Sequence, residues 1–168
     1  IKLTSANSIN VARWLPQMFY FAFAYKQLED KRKKLAFAVP SGNFGNICAG
    51  MMAQQLGLPI DHLIAATNSY RVVPNYLETG NYLPSRSVQT ISNAMDVGDP
   101  SNFIRIQQIY NGDLNLLREN LSSFSFSDDQ TRNAMKSVYK QTGYMLDPHG
   151  AVGFLGLELV NTAYRKES

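Results

Sequence analysis

A continuously apolar run, Leu35 to Val39, leads straight into Pro40-Ser41-Gly42-Asn43-Phe44-Gly45-Asn46, and a helical pattern follows to about Leu56. This order constrains the fold more than any other feature of the chain. A strand without polar alternation is one covered on both faces, as in a parallel sheet flanked by helices. A glycine-rich turn between such a strand and its helix is an anion-binding arrangement. Gly42 and Gly45 lack a Cβ, so the backbone can bend sharply and approach a ligand closely. The first amides of the helix have no internal acceptor, and the helix dipole favours negative charge beside them. The side chains of Asn43 and Asn46 add further amides. The turn predicts a bound phosphate.

The rest of the chain supports an α/β reading. Ile60 to Thr67 is a second apolar strand, and Gly57 closes the helix before it. Strand, turn, helix and strand make a βαβ unit, which predicts a parallel pair with a right-handed crossover. Upstream, residues 1–6 read as extended, and Asn7 or Ser8 can cap a helix. Trp14, Met18, Phe21, Tyr25 and Leu28 keep helical spacing on a core-facing stripe. Pro16 either kinks that helix or sits in the first turn of a second one. Asn68 to Gly98 is a long connection with one short helix near Val73–Leu77, of the kind that serves function or meets another domain. Helices are predicted over about 101–110, 113–120 and 127–142, the third opened by a capping box of Ser127 and Gln130. A last helix opens at Asp147-Pro148-His149-Gly150 with Val152, Leu155, Leu159 and Ala163 at helical spacing. The predicted fold is a three-layer α/β sandwich with a mostly parallel sheet.

Composition narrows the function classes. The chain has 168 residues, enough for one domain with a real core. A net charge of +3 suits small anionic ligands and gives no argument for nucleic acid. Lys31-Arg32-Lys33-Lys34 is short, follows Glu29 and Asp30, and reads as a solvated loop. The apolar run Met18 to Tyr25 is far shorter than the ~20 residues of a membrane span, and no signal-peptide pattern opens the chain. The single cysteine, Cys48, reads as a buried structural thiol rather than a nucleophile, and the cytoplasm is the expected compartment. No metal-ligand spacing is present. The chain opens at Ile1 in an extended segment and stops after an amphipathic helix, which reads as a piece of a larger enzyme.

The turn is neither a dinucleotide fingerprint, which needs G-x-G-x-x-G, nor a Walker A loop, which ends in Lys-Ser/Thr. Pro40-Ser-Gly-Asn-Phe-Gly-Asn46 resembles instead the cofactor-phosphate loop of threonine synthases, pyridoxal-phosphate enzymes of the tryptophan-synthase-β-like fold (fold type II). Three further segments are similar to that family in the same order. They are Asn7-Ser8-Ile9-Asn10 with Arg13, then Asn93-Ala94-Met95-Asp96 with Pro100-Ser101-Asn102, then Asp147-Pro148-His149 with Ala151-Val152-Gly153.

The resemblance implies that Gly42, Asn43, Phe44, Gly45 and Asn46 hold the phosphate of pyridoxal 5'-phosphate. It implies that Asn7, Ser8, Asn10 and Arg13 hold the phosphate of the substrate, O-phosphohomoserine, which the family converts with water to threonine and inorganic phosphate. Asn93 and Asp96 either line the pocket or order the long connection. His149 reads as a packed or capping residue. Gly150 stands where the family can carry the Thr that meets the cofactor's pyridine nitrogen, and offers no side chain for it. The family's Schiff-base lysine lies in a Ser-Phe-Lys-Asp-type motif that this sequence lacks. Residues 1–168 thus read as part of the large cofactor-binding domain, inactive alone, whose partner is the remainder of its own polypeptide. Two other readings stay open: another fold type II lyase, such as a dehydratase or phospho-lyase, and a non-catalytic anion-binding domain.

Overall fold

A computed structural model describes Asn7 and residues 10–166; the extended segment expected over 1–6, and Ser8, lie outside the described residues. Three strands form one parallel sheet in the order β1 (Ala36–Pro40), β2 (His62–Thr67), β3 (Leu121–Ser125). Val39 stands opposite Ala65, and Ala65 opposite Ser123. The central strand β2 sets the layers. Leu63 and Ala65 join a core with α1 (Trp14–Lys26), α2 (Gly45–Gln55), α3 (Val72–Thr79), α4 (Phe103–Ile109) and α5 (Leu114–Asn120). Ala66 packs with Met95, Phe126 and Val152 on the other face, where α7 (Pro148–Lys166) lies with α6 (Asp128–Thr142) against it. The architecture is the three-layer sandwich that the apolar strands predict.

β3 is the element that sequence pattern misses. Leu121-Ser-Ser-Phe-Ser125 carries neither an apolar run nor strict alternation, and only Leu121 is fully buried. Its hydroxyls serve the sheet: Ser123 Oγ donates to the Ala65 carbonyl at 3.0 Å, and Ser122 Oγ pairs with His62 Nε2 at 2.8 Å.

A 3-10 turn, Val11–Arg13, runs into α1, and Pro16 sits in the first turn of α1, so the second of its two expected placements holds. Asn10 caps this turn, its Oδ1 accepting from Ala12 N at 3.1 Å; Ser8, one of the two expected caps, lies outside the described residues. Trp14 and Phe21 of the expected stripe are buried. The opposite side of α1 is also apolar, with Leu15, Phe19, Tyr20 and Phe23 each more than half exposed. A helix apolar all round is one made for burial on every side.

α2 is buried along most of its length, and a Cβ on Gly50 would come within 2.7 Å of the Phe21 ring, so α1 and α2 pack at close range. Gly57 and Gly143 close α2 and α6 with left-handed φ of 100° and 74°. The Ser127–Gln130 capping box forms as expected. On α7, Ala151, Val152, Gly153 and Gly156 are buried and Leu155 is half-buried; Leu159, expected to continue the stripe, is 47% exposed.

Candidate anion-binding site

Parallel strands deliver their carboxyl ends to one edge, and the turn after β1 lies there. Ser41 N donates to the Ala66 carbonyl at 2.8 Å, and Ser41 Oγ to the Val39 carbonyl at 2.9 Å, fixing the chain as it leaves the sheet. The reversal into α2 is made by Phe44, at φ 61°, and not by either glycine. A left-handed non-glycine residue costs about 1–2 kcal/mol. The Phe44 ring holds it there, 2% exposed and edge-on to Phe103 at 5.8 Å. Gly42 is required for a different reason. A Cβ there would lie 2.7 Å from Met95 Cα and 3.2 Å from the Ala94 carbonyl oxygen. Helix α2 has no side-chain cap. Among the described residues no acceptor takes the amides of Gly42, Phe44, Gly45 or Asn46. Four donors at the positive end of a helix are the chemistry of an anion seat.

The asparagines do different work from that expected of them. Asn46 Nδ2 donates to the Pro40 carbonyl at 2.8 Å, and its Oδ1 accepts from Ile47 N at 2.9 Å, so it braces the turn from within. Asn43 Oδ1 accepts from Ser101 N at 2.7 Å and from Ser101 Oγ at 2.9 Å. Asn102 Nδ2 donates to the Asn43 carbonyl at 3.0 Å, and Arg105 Nη1 donates to Asn102 Oδ1 at 2.9 Å. The Arg105 guanidinium lies 5.0 Å from the Trp14 ring centre, within cation–π range. A continuous chain of contacts therefore joins the start of α1 to the turn.

Beside the turn is a cavity of about 10 Å³, walled by Ser41, Gly42, Phe44, Tyr70 and Met95. Tyr70 and Val72 also line an open cleft of about 350 Å³, where Arg71 and Arg86 supply positive charge and Ser85 and Asn75 supply hydrogen-bonding groups. Tyr70 Oη donates to the Val88 carbonyl, which latches the wall of the cleft to the end of β2. The edge of the sheet thus combines open amides with a cationic cleft and suits anionic small molecules.

No family model matches the chain. Threonine synthase from Buchnera aphidicola subsp. Schizaphis graminum is 43% identical over 168 residues, covering 99% of this chain and 38% of that protein. The crystal structure of threonine synthase from Escherichia coli superposes with a TM-score of 0.87 at 41% identity, over 93% of this chain and 36% of that one. The chain is homologous to one part of threonine synthase. A further structure, described as pyridoxal-phosphate-bound threonine synthase from Brucella melitensis, matches with a TM-score of 0.85 at 33% identity, over 93% of this chain and 39% of that one. The chain spans about two fifths of the length of the threonine synthases it matches.

Three of the four segments that resemble threonine synthase meet at this edge. Ala94 and Met95 touch Gly42, Ser101 and Asn102 hold Asn43, and α7 comes so close that a Cβ on Gly153 would lie 3.0 Å from the Pro40 ring. Of the residues expected to take the substrate phosphate, Asn7 and Arg13 are exposed, and Asn10 is half-buried and caps its own 3-10 turn. Asp96, left between two roles by the sequence, is engaged by Asn68 and Thr90 and orders the long connection. Asp147 caps α7, accepting from His149 N at 2.8 Å and Gly150 N at 2.9 Å. Those bonds, that of Gly150 foremost, hold its carboxyl below the usual aspartate value. His149 Nδ1 lies 3.4 Å from the Asp147 carboxylate, as a capping residue would, while its Nε2 is sealed from solvent with no partner among the described residues.

Cys48 is fully buried, and burial pushes its thiol up to about 12, which removes it as a nucleophile at neutral pH. Asn68, Thr90, Ser92 and Arg105 are supports that sequence reasoning passed over. The available signal was Asn68, a polar residue closing an apolar strand at the sheet's carboxyl edge. No group of three or more metal-ligating side chains gathers among the described residues. No helix is long and apolar enough to cross a membrane.

Proposed function

We propose that this chain is part of a cytoplasmic, pyridoxal-phosphate-dependent threonine synthase that converts O-phospho-L-homoserine and water to L-threonine and inorganic phosphate. The observation that carries the reading is the turn before α2, where the amides of Gly42, Phe44, Gly45 and Asn46 have no acceptor among the described residues and the helix has no side-chain cap, in a chain above 40% identical to threonine synthases. The residues suit a phosphate ester in their donors: the amides of Gly42, Phe44, Gly45 and Asn46 have no acceptor among the described residues and sit at the start of α2. When bound, the coenzyme supplies an electron sink for carbanion chemistry on the amino-acid substrate.

The roles of this chain's own residues follow from their chemistry. The amides of Gly42, Phe44, Gly45 and Asn46 hold the coenzyme phosphate, and the α2 dipole adds to their field. Asn43 and Asn46 keep the turn in the shape that aims those amides. Fixing the phosphate end orients the coenzyme ring before substrate arrives. Asn7, Ser8, Asn10 and Arg13 hold the substrate phosphate, where the Arg13 guanidinium meets charge that grows as phosphate departs. Such a separate phosphate seat is what distinguishes this reading from a dehydratase acting on an unphosphorylated amino acid. The lysine that bonds the coenzyme lies elsewhere in the full polypeptide, so these residues alone are inactive.

The test is phosphate release from O-phosphohomoserine in the presence of pyridoxal phosphate. The full polypeptide turns over and the 168-residue chain does not. A full polypeptide that gains no coenzyme absorbance, or that binds coenzyme and releases no phosphate, would sink the reading.

A further inference from the structure

The connection between α3 and α4 crosses the carboxyl edge of the sheet and presses its backbone on Gly42. Beside the Tyr70–Val88 and Ile91–Asp128 bonds, one carboxylate gathers three of the bonds that hold it there. Asp96 Oδ1 accepts from Asn68 Nδ2 at 2.8 Å and from Thr90 Oγ1 at 2.6 Å, and Asp96 Oδ2 accepts from Thr90 N at 2.9 Å. Asn68 Nδ2 also donates to Thr90 Oγ1 at 2.9 Å, and the hydroxyls of Thr90 and Ser92 pair at 3.2 Å. Asn68 and Ser92 are each 1% exposed and Asp96 is half-buried, so the network is partly shielded from water, where leaving a bond unmade is costly. Asn68 follows β2 directly, so the network ties the connection to the central strand of the sheet.

We propose that Asp96 is a positioning residue for the anion-binding turn. Through Asn68 and Thr90 it clamps Ala94 and Met95 against Gly42, and that pressure fixes where the amides of Gly42–Asn46 point. All three donors around the carboxylate are satisfied by it, and it has no role as a proton carrier. The proposal rests on the coenzyme reading only for what occupies the turn; the clamp itself belongs to the protein.

Asp96→Asn tests it with almost no change of shape. Asn68 Nδ2 and Thr90 N are obligate donors, one on each oxygen of Asp96. Whichever way an amide at 96 is turned, its own NH2 faces one of them. The measurement is hydrogen exchange, in the full polypeptide without coenzyme, of the hydrogen-bonded amides that flank the turn, Ser41 N on the Ala66 carbonyl, Ile47 N on Asn46 Oδ1 and Cys48 N on the Phe44 carbonyl, together with coenzyme affinity by absorbance titration. Asp96→Asn should speed exchange at 41, 47 and 48 and weaken coenzyme binding, each by about tenfold. The control is Arg118→Met on α5, which removes bonds from Arg118 Nε to the Leu77 carbonyl at 2.7 Å and from Nη2 to the Glu78 carbonyl at 3.1 Å. That variant lowers the unfolding midpoint without a selective change at those amides. If Asp96→Asn does not fold, Thr90→Val removes the hydroxyl bonds and keeps the backbone donor, and should give the same pattern at smaller size. Unchanged exchange at the flanking amides, or the same change in Arg118→Met, overturns the clamp. A full polypeptide that binds no coenzyme while its exchange responds as expected overturns the coenzyme reading and leaves the clamp standing.

Discussion

Helices α2 and α7 both begin at the carboxyl edge of the sheet, and they treat their first amides in opposite ways. At α7 the chain supplies its own anion: the Asp147 carboxylate accepts from His149 N and Gly150 N. At α2 the residue before the helix is Phe44, whose side chain accepts nothing, and the amides of Gly42, Phe44, Gly45 and Asn46 find no acceptor among the described residues. A helix start that satisfies itself gains about 1 kcal/mol and has nothing left to offer. A start left open forgoes that stability and can receive a charged group from outside. The difference marks the first turn of α2, and not that of α7, as the place for a ligand, although Asp147-Pro148-His149 also belongs to a threonine-synthase-like segment.

The largest expected effect comes from Gly42→Val in the full polypeptide. The added carbons meet the Met95 backbone at under 3 Å, and backbone cannot yield as a flexible side chain can. Coenzyme affinity should fall by at least about a hundredfold, read by absorbance titration; wild-type affinity would erase the contrast between the two helix starts. Asn43→Asp gives the turn a charge of its own, so that α2 comes to resemble α7. Coenzyme affinity should fall by about tenfold to a hundredfold through repulsion of the phosphate, while the unfolding midpoint stays level or rises. An affinity unchanged by this substitution would mean that the turn does not face an anion.

Asp147→Ala makes α7 resemble α2 and should cost about 1 kcal/mol in urea unfolding without altering coenzyme affinity. The smallest effect is the pH response of the same cap. The Asp147 carboxyl is held below its ordinary 3.8 in the fold by the Gly150 and His149 amides, so its stabilisation is complete above that value and is lost as pH falls through the folded value. Wild type should therefore lose slightly more stability than Asp147→Asn between about pH 4 and 2. Parallel acid profiles would deny that the bonds matter in solution.

Much of this contrast was legible in the sequence, and its failures have physical causes. The apolar runs announced β1 and β2 because both are covered by helices, and the Gly-rich turn announced orphan amides. β3 stayed hidden because three of its five residues are serines, whose hydroxyls bond His62, the Ala65 carbonyl and Arg71, so no apolar pattern shows. Asn43 and Asn46 were read as ligand donors because residue type shows hydrogen-bonding capacity but not direction; the structure directs them to Ser101, Ile47 and the Pro40 carbonyl. The glycines were assigned the bend, yet Phe44 makes it, since a buried ring can hold a left-handed backbone that local propensity disfavours. The Asp96 clamp joins residues 28 apart in the chain, a separation over which periodicity carries no information.

The outward side of α1 has a practical consequence. Leu15, Phe19, Tyr20 and Phe23 form a ridge of large side chains exposed to water on one helix. A solution of these 168 residues alone should therefore be sticky, with self-association rising steeply as concentration rises. Light scattering at increasing dilution would expose that tendency, and swapping Phe19 and Phe23 for glutamate should clear it.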